Sequence, residues 1–110
     1  QSFKRNKPLQ NLNVNSIADS LSAPLHMKYS FDIAKKVVDE IVTVTDDQMR
    51  EFMIFAHKNF KLMLEPACVA GLAAIKYKLE NKLKNMNTLL ILCGSSIDTK
   101  SWKSLINYNG

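Results

Sequence analysis

The sequence predicts an α/β domain, part of a three-layer arrangement in which helices cover a parallel sheet. Three observations carry this. Leu89-Leu90-Ile91-Leu92 is an unbroken apolar run that stops abruptly at Cys93-Gly94-Ser95-Ser96. A short apolar run ended by small polar residues reads as a strand buried on both faces, and it is too short for a helix before Gly94. Glu40–Thr45 is a second strand candidate, dense in β-branched residues. Between and around these lie segments of helical periodicity, giving the order loop, helix, strand, helix, helix, strand, helix. A strand buried on both faces needs neighbours on both edges, and few other candidates exist. The expected architecture is therefore a partial sheet, the last third of an α/β domain.

Taken in order, residues 1–15 are polar, rich in Asn and Lys, and read as loop with room for a short strand. Ser16–Pro24 has small residues around Asp19 and suits a turn or a short helical turn, closed by the restriction that Pro24 places on its neighbour. Ser30 can cap a helix over Phe31–Val37, with Phe31, Ala34, Val37 and Val38 on one side. Thr45-Asp46-Asp47-Gln48 matches a capping box. The helix it opens puts Met49, Phe52, Met53, Ala56 and Phe60 at helical spacing, a stripe that reads as core rather than as a ligand groove. Leu62–Leu64 is a brief connection. Glu65-Pro66 opens the next helix, with Pro66 suited to its first turn. Ala67, Val69, Ala70, Leu72, Ala73, Ala74 and Ile75 leave it small or apolar on nearly every side, a buried start that lets a neighbour come close. It becomes charged from Tyr77 and ends near Asn85. After the apolar run, Asp98 or Thr99 caps a last short helix carrying Trp102, Leu105 and Ile106.

The 110 residues form one segment with a modest core, 46% hydrophobic and 23% charged, the balance of a soluble globular protein. No apolar stretch is long enough to cross a bilayer, so no membrane role is expected. No apolar leader follows Gln1, and no initiating Met is present; the expectation is a piece of something longer. Two cysteines, Cys68 and Cys93, make a poor disulfide framework and favour a reduced, cytoplasmic setting. The net charge of +5 is mostly scattered Lys. Its densest run, Lys76, Lys78, Lys82 and Lys84 around Glu80, reads as a solvated helix face. No stacking or base-reading residues accompany it, so nucleic acid is not an expected partner.

Three segments resemble the C-terminal part of a known enzyme family. Ser16-Ile17-Ala18-Asp19-Ser20-Leu21 is similar to a family pattern Thr-Ile-Ala-Asp-Gly-Leu. Val38-Asp39-Glu40-Ile41-Val42-Thr43-Val44-Thr45-Asp46-Asp47 is similar to Val-Asp-Asp-Ile-Val-Thr-Val-Ser-Asp-Asp. Leu64-Glu65-Pro66-Ala67, with Cys93-Gly94-Ser95-Ser96-Ile97-Asp98 downstream, is similar to Val-Glu-Pro-Ser and Cys/Ser-Gly-Gly-Asn-Val-Asp. By these motifs the chain resembles the fold-type II pyridoxal-phosphate enzymes, specifically the threonine/serine dehydratases (ammonia-lyases) and serine racemases. The resemblance implies the C-terminal part of the tryptophan synthase β-like fold. It departs from the family at Ser20, at Cys68, which stands where the family has Gly, and at Ser96, where Asn is usual.

The resemblance also implies roles. Cys93 matches the Ser or Cys whose side chain hydrogen-bonds the pyridine nitrogen of pyridoxal 5′-phosphate. Gly94 would let the ring lie close to the backbone. Glu65 matches a Glu close to the cofactor; its plain structural reading is an acid at a helix N-terminus. For Cys93 the plain reading is a small buried residue at a strand end. The lysine that carries the cofactor, the Gly-rich phosphate loop and the divalent-metal site of such enzymes have no counterpart here. No catalytic residue and no metal ligand is therefore nominated, and His26 and His57 read as surface or packing residues. The function implied is β-elimination of water and deamination of a hydroxy amino acid to a 2-oxo acid and ammonia, with no activity expected from this chain alone. A homodimer is compatible with the resemblance. The alternative is a non-catalytic remnant or protein-interaction module derived from the same fold.

Overall fold

A computed structural model of the chain describes residues 2–9, 15–21, 23 and 27–107. Pro24 and His26 lie outside the described residues. The chain divides into two compact units, Gln1–Ile41 and Val42–Gly110.

In the first unit, α1 (Ser2–Arg5) forms a single helical turn where the sequence suggests only loop. Ser2 holds the turn closed: its carbonyl accepts from the Lys7 N–H at 3.2 Å and its hydroxyl from the Leu9 N–H at 3.2 Å. A 3₁₀ turn at Asp19–Leu21 realises the expected helical turn, with Ala18 buried beside it. Helix α2 (Lys28–Val37) starts earlier than the sequence suggests. Met27 is its N-cap, and Ser30 lies inside the first turn, its hydroxyl donating to the Met27 carbonyl at 3.0 Å instead of capping. Phe31 is buried and meets Phe3 edge-on at 5.6 Å. Val37 stays 70% exposed, so the apolar face narrows to Phe31 and Ala34.

The second unit is built on α3 (Asp46–Phe60), α4 (Pro66–Ala74) and α6 (Thr99–Ile106). Thr45 caps α3 as its sequence predicts: the Thr45 hydroxyl accepts from the Gln48 N–H at 3.2 Å, and the Gln48 side chain accepts from the Thr45 N–H at 2.9 Å. Met49, Phe52, Met53 and Ala56 form the buried stripe; Phe60, one turn on, is half exposed. The helix stops at Lys61, which takes the left-handed conformation (φ 59°) and donates its N–H to the His57 carbonyl. Helix α4 packs against α3 and buries Cys68, Val69 and Ala73. It runs on through one π turn, Ile75–Leu79, into α5 (Glu80–Leu83) and ends at Asn85 with φ 65°. In the π turn the Tyr77 hydroxyl donates to Glu51, which pushes the phenol above its ordinary range. Lys76 pairs with Glu80 at 3.0 Å on a solvated face. Helix α6 is capped by Asp98, whose carboxylate accepts from the Ser101 N–H at 2.9 Å. Its Trp102 is buried against α3, and Arg50 of α3 donates to the Leu105 carbonyl at the far end of α6. No described helix is long and apolar enough to cross a membrane.

Neither strand candidate is paired in this structure. Among the described residues none is paired in a strand; Ile41–Thr45 and Asn87–Asp98 are irregular in hydrogen bonding. Burial alternates along Leu89–Gly94, as it does along an extended chain. Leu90, Leu92 and Gly94 are half-buried, whereas Leu89, Ile91 and Cys93 are exposed, Leu89 by 91%. Among the described residues one face of this segment meets helix α4, where a Cβ on Gly71 would come within 2.5 Å of Leu90 Cδ1, and the other face is exposed.

Candidate functional site

The three residues singled out by sequence come together in the second unit. Glu65 is the N-cap of α4, held extended (φ −75°, ψ 159°) because Pro66 occupies the first helical position. Its backbone N–H donates to the Gly94 carbonyl at 3.2 Å, which ties the head of α4 to the end of the apolar run. Its side chain folds over the same residue. A Cβ built on Gly94 would lie 2.3 Å from Glu65 Oε1 and 2.7 Å from Cδ, and Gly94 has φ +140°, a conformation glycine alone adopts freely. Both constraints make glycine the residue that fits, and both come from Glu65 and the turn of the chain.

Cys93 lies at the exposed end of this arrangement, on the same face as Leu89 and Ile91. The expectation of an interior strand end is thus corrected: the thiol is presented outward. The physical reason is the alternation itself, which sends Leu92 and Gly94 toward α4 and the residue between them away from it.

Two supports were not picked out from the sequence. Trp102 donates its indole N–H to the buried Leu64 carbonyl at 3.1 Å, anchoring α6 to the residue before Glu65. The His57 ring sits 4.9 Å from the Trp102 ring, a packing role consistent with its sequence reading. Cys68, one turn into α4, is buried, and its N–H closes the first turn on the Glu65 carbonyl at 3.1 Å. Burial pushes the Cys68 thiol above its ordinary value of 9.0, with the nearby Cys93 and Glu65 adding to the rise and the Cys93 backbone N–H opposing it. Cys68 therefore carries a neutral thiol immediately behind Cys93. Trp102 was visible only as an apolar helix residue, and Cys68 only as a cysteine where a small residue was expected.

Chemically the site offers an exposed weak hydrogen-bonding thiol, a stretch of backbone without a side chain and a carboxylate beside it. Among the described residues no three His, Cys, Asp or Glu side chains are grouped to hold a metal ion. The space over Gly94 is taken by the Glu65 side chain, and the Cys93 thiol beside it is exposed.

Comparison with known proteins identifies the family. Residues 1–94 match the family described as pyridoxal-phosphate dependent enzyme. The chain is 34% identical over 102 residues to a phenylserine dehydratase of Ralstonia pickettii, which covers 93% of this chain and 31% of that protein. It is 27% identical to a serine racemase of Schizosaccharomyces pombe over 97% of this chain and 33% of that protein. It is 27% identical to an L-threonine ammonia-lyase of Thermotoga maritima over 84% of this chain and 22% of that protein. The chain spans about a third or less of the length of these relatives.

Proposed function

Because this chain belongs to the pyridoxal-phosphate dependent enzymes, we propose that it supplies the C-terminal part of a hydroxy amino acid dehydratase. The reaction is loss of water across the α and β carbons followed by release of ammonia, leaving a 2-oxo acid. Pyridoxal phosphate, when bound, supplies the electron withdrawal that this chemistry needs. The rest of the catalytic set, including the lysine that carries the cofactor, belongs to the portion of such enzymes that these 110 residues do not match.

Within this chain, Cys93 would hold the ring nitrogen of the cofactor through its thiol. A thiol is a weak acid and does not hand over a full proton there, which limits electron withdrawal by the ring and favours elimination. Glu65 holds the Gly94 carbonyl by its N–H and lays its carboxylate over Gly94. The observation that supports this reading is the junction itself: Glu65 locked onto Gly94, with the adjacent Cys93 thiol turned outward. The sheet of the family's α/β fold is proposed to form when strands from elsewhere pair with Leu89–Leu92.

The test uses the full polypeptide encoded by the gene. It is expected to bind pyridoxal phosphate with a visible absorbance band and to release 2-oxo acid and ammonia from threonine, serine or 3-hydroxyaspartate. Cys93→Ala is expected to shift the band and lower turnover while the protein stays folded. A full polypeptide that takes up no pyridoxal phosphate would refute the proposal.

A second reading, a non-catalytic module derived from this fold, is favoured by one observation. The second unit has its own fully buried residues, Met53 and Val69. On that reading residues 1–110 alone give a cooperative thermal transition that pyridoxal phosphate does not alter.

A further inference from the structure

The peptide group joining Leu64 to Glu65 is gripped at both ends. Its C=O, that of Leu64, accepts the Trp102 indole N–H at 3.1 Å. Its N–H, that of Glu65, donates to the Gly94 carbonyl at 3.2 Å. A trans peptide is planar and its C=O and N–H point in opposite directions, so the two partners hold one rigid plate from opposite sides. Both partners come from one stretch of chain. Four residues after Gly94, Asp98 caps α6, and Trp102 closes the first turn of that helix, its backbone N–H on the Asp98 carbonyl at 2.9 Å. Trp102 and Leu64 are both buried. An indole N–H can only donate, and a donor or a carbonyl buried without a partner costs free energy, so each end of this bond needs the other. Arg50 ties the far end of α6 to α3 separately, through the Leu105 carbonyl at 3.1 Å.

We propose that Trp102 is a positioning residue: its indole N–H sets the plane of the Leu64–Glu65 peptide and thereby the direction in which Glu65 presents its carboxylate at Gly94. The Glu65 backbone has two soft dihedrals. Pro66 restricts ψ, which is 159°. Turning the peptide plate changes φ, which is −75°, and this is the freedom that Trp102 and Gly94 remove between them. With both dihedrals held, the Glu65 side chain leaves the backbone in one direction, and its carboxylate lies where a Cβ on Gly94 would be, 2.3 Å from Oε1. The two hydrogen bonds also reinforce each other. A donor on the carbonyl polarises the amide, which makes its N–H a better donor to Gly94. Removing the indole N–H therefore loosens the Glu65–Gly94 bond without touching either residue. Gly94 adjoins Cys93, so this inference rests on, and deepens, the reading of Cys93 and Glu65 as the cofactor side of the chain.

The test uses the full polypeptide. Trp102 is replaced by β-(3-benzothienyl)alanine, which keeps the fused rings and has sulfur in place of the N–H, and separately by phenylalanine (Trp102→Phe). Thr45→Ala, which removes the cap at the start of α3 at comparable cost, controls for stability alone. Amide hydrogen exchange is first followed without cofactor. Both replacements are expected to speed exchange of the Glu65 N–H by roughly fivefold relative to amides of α3, the worth of one hydrogen bond, and Thr45→Ala to leave that ratio unchanged. With pyridoxal phosphate added, the benzothienyl protein is expected to take up the cofactor more weakly and with a displaced absorbance band, while Thr45→Ala keeps the wild-type band. A Glu65 ratio equal to that of the wild type in both replacements would overturn the positioning role. A rise shared equally by Glu65 and α3 would overturn it too, since that is loss of the core. Faster Glu65 exchange with uptake and band unaltered would reduce the bond to a purely structural one and overturn it as well. The cofactor reading fails separately: a wild-type polypeptide that takes up no pyridoxal phosphate refutes that reading, and the hold of Trp102 on the peptide is then decided by the exchange ratio alone.

Discussion

Gly94 is the position where a single atom matters most. It sits at φ +140° with the Glu65 carboxylate where a Cβ would be. Gly94→Ala must strain the backbone by about 1–3 kcal/mol or swing Glu65 away. The expected outcome is a lower thermal midpoint together with weaker pyridoxal phosphate uptake, read by calorimetry and cofactor absorbance; Glu65→Ala in the same background should recover only the part of the loss due to the clash, since the strain at φ +140° remains. Cys68 adds a pH dependence. Its folded thiol titrates above the ordinary 9.0, chiefly because it is buried. The protonated form is thus favoured by folding, so the stability it contributes is complete below about pH 9 and is lost as pH rises through the folded value. Thermal midpoints measured from pH 8 upward should fall more steeply for the wild type than for Cys68→Ser. Neither residue's role could be read from its own neighbourhood in sequence. Cys68 and Cys93 are brought together by the return of the chain after α5, and no local pattern announces such a meeting.

Among elements, the helices were the legible part, and α3 shows why. Thr45 and Gln48 satisfy each other's backbone groups within four residues, and Met49, Phe52, Met53 and Ala56 repeat at the helical period. Both signals are local. Thr45→Ala is expected to remove about 1 kcal/mol of stability, measurable by urea denaturation. Helix α6 was equally open to reading from Asp98. The Ser101 hydroxyl, and then its N–H, hold that carboxylate below its ordinary range, so the cap is complete above pH 3.8 and is lost as pH falls through the lower folded value. Trp102 fluorescence should report the fraying of α6 in that acid range. Helix α2 was misjudged at its start because Met27 offers no side-chain cap, and Ser30, the obvious capping residue, bonds backwards inside the helix. The apolar run was misjudged because Leu89–Leu92 has no alternation to display: four consecutive apolar residues look alike from either face. The structure divides them by what lies nearby, and α4 lies on one side only.

For the whole molecule, the two units differ in what they hold. The buried residues Met53, Val69, Ala56 and Ala73 all belong to Val42–Gly110. Met53→Ala is expected to destabilise that unit by roughly 2–5 kcal/mol, enough to abolish its cooperative transition. Leu89 and Ile91 leave an apolar row facing outward, 91% and 73% exposed. Such a row promotes association, so Leu89→Lys with Ile91→Lys should raise the concentration at which the 110-residue chain stays clear in light scattering. The division at Ile41 also bears on how this junction can be studied. Glu65, Cys68, Cys93, Gly94 and the Trp102 anchor all fall after it. A polypeptide starting at Val42 keeps every one of them, which makes a specimen of modest size for spectroscopy. In it the two sulfurs could be followed by isotope labelling, free of signals from the leading forty or so positions.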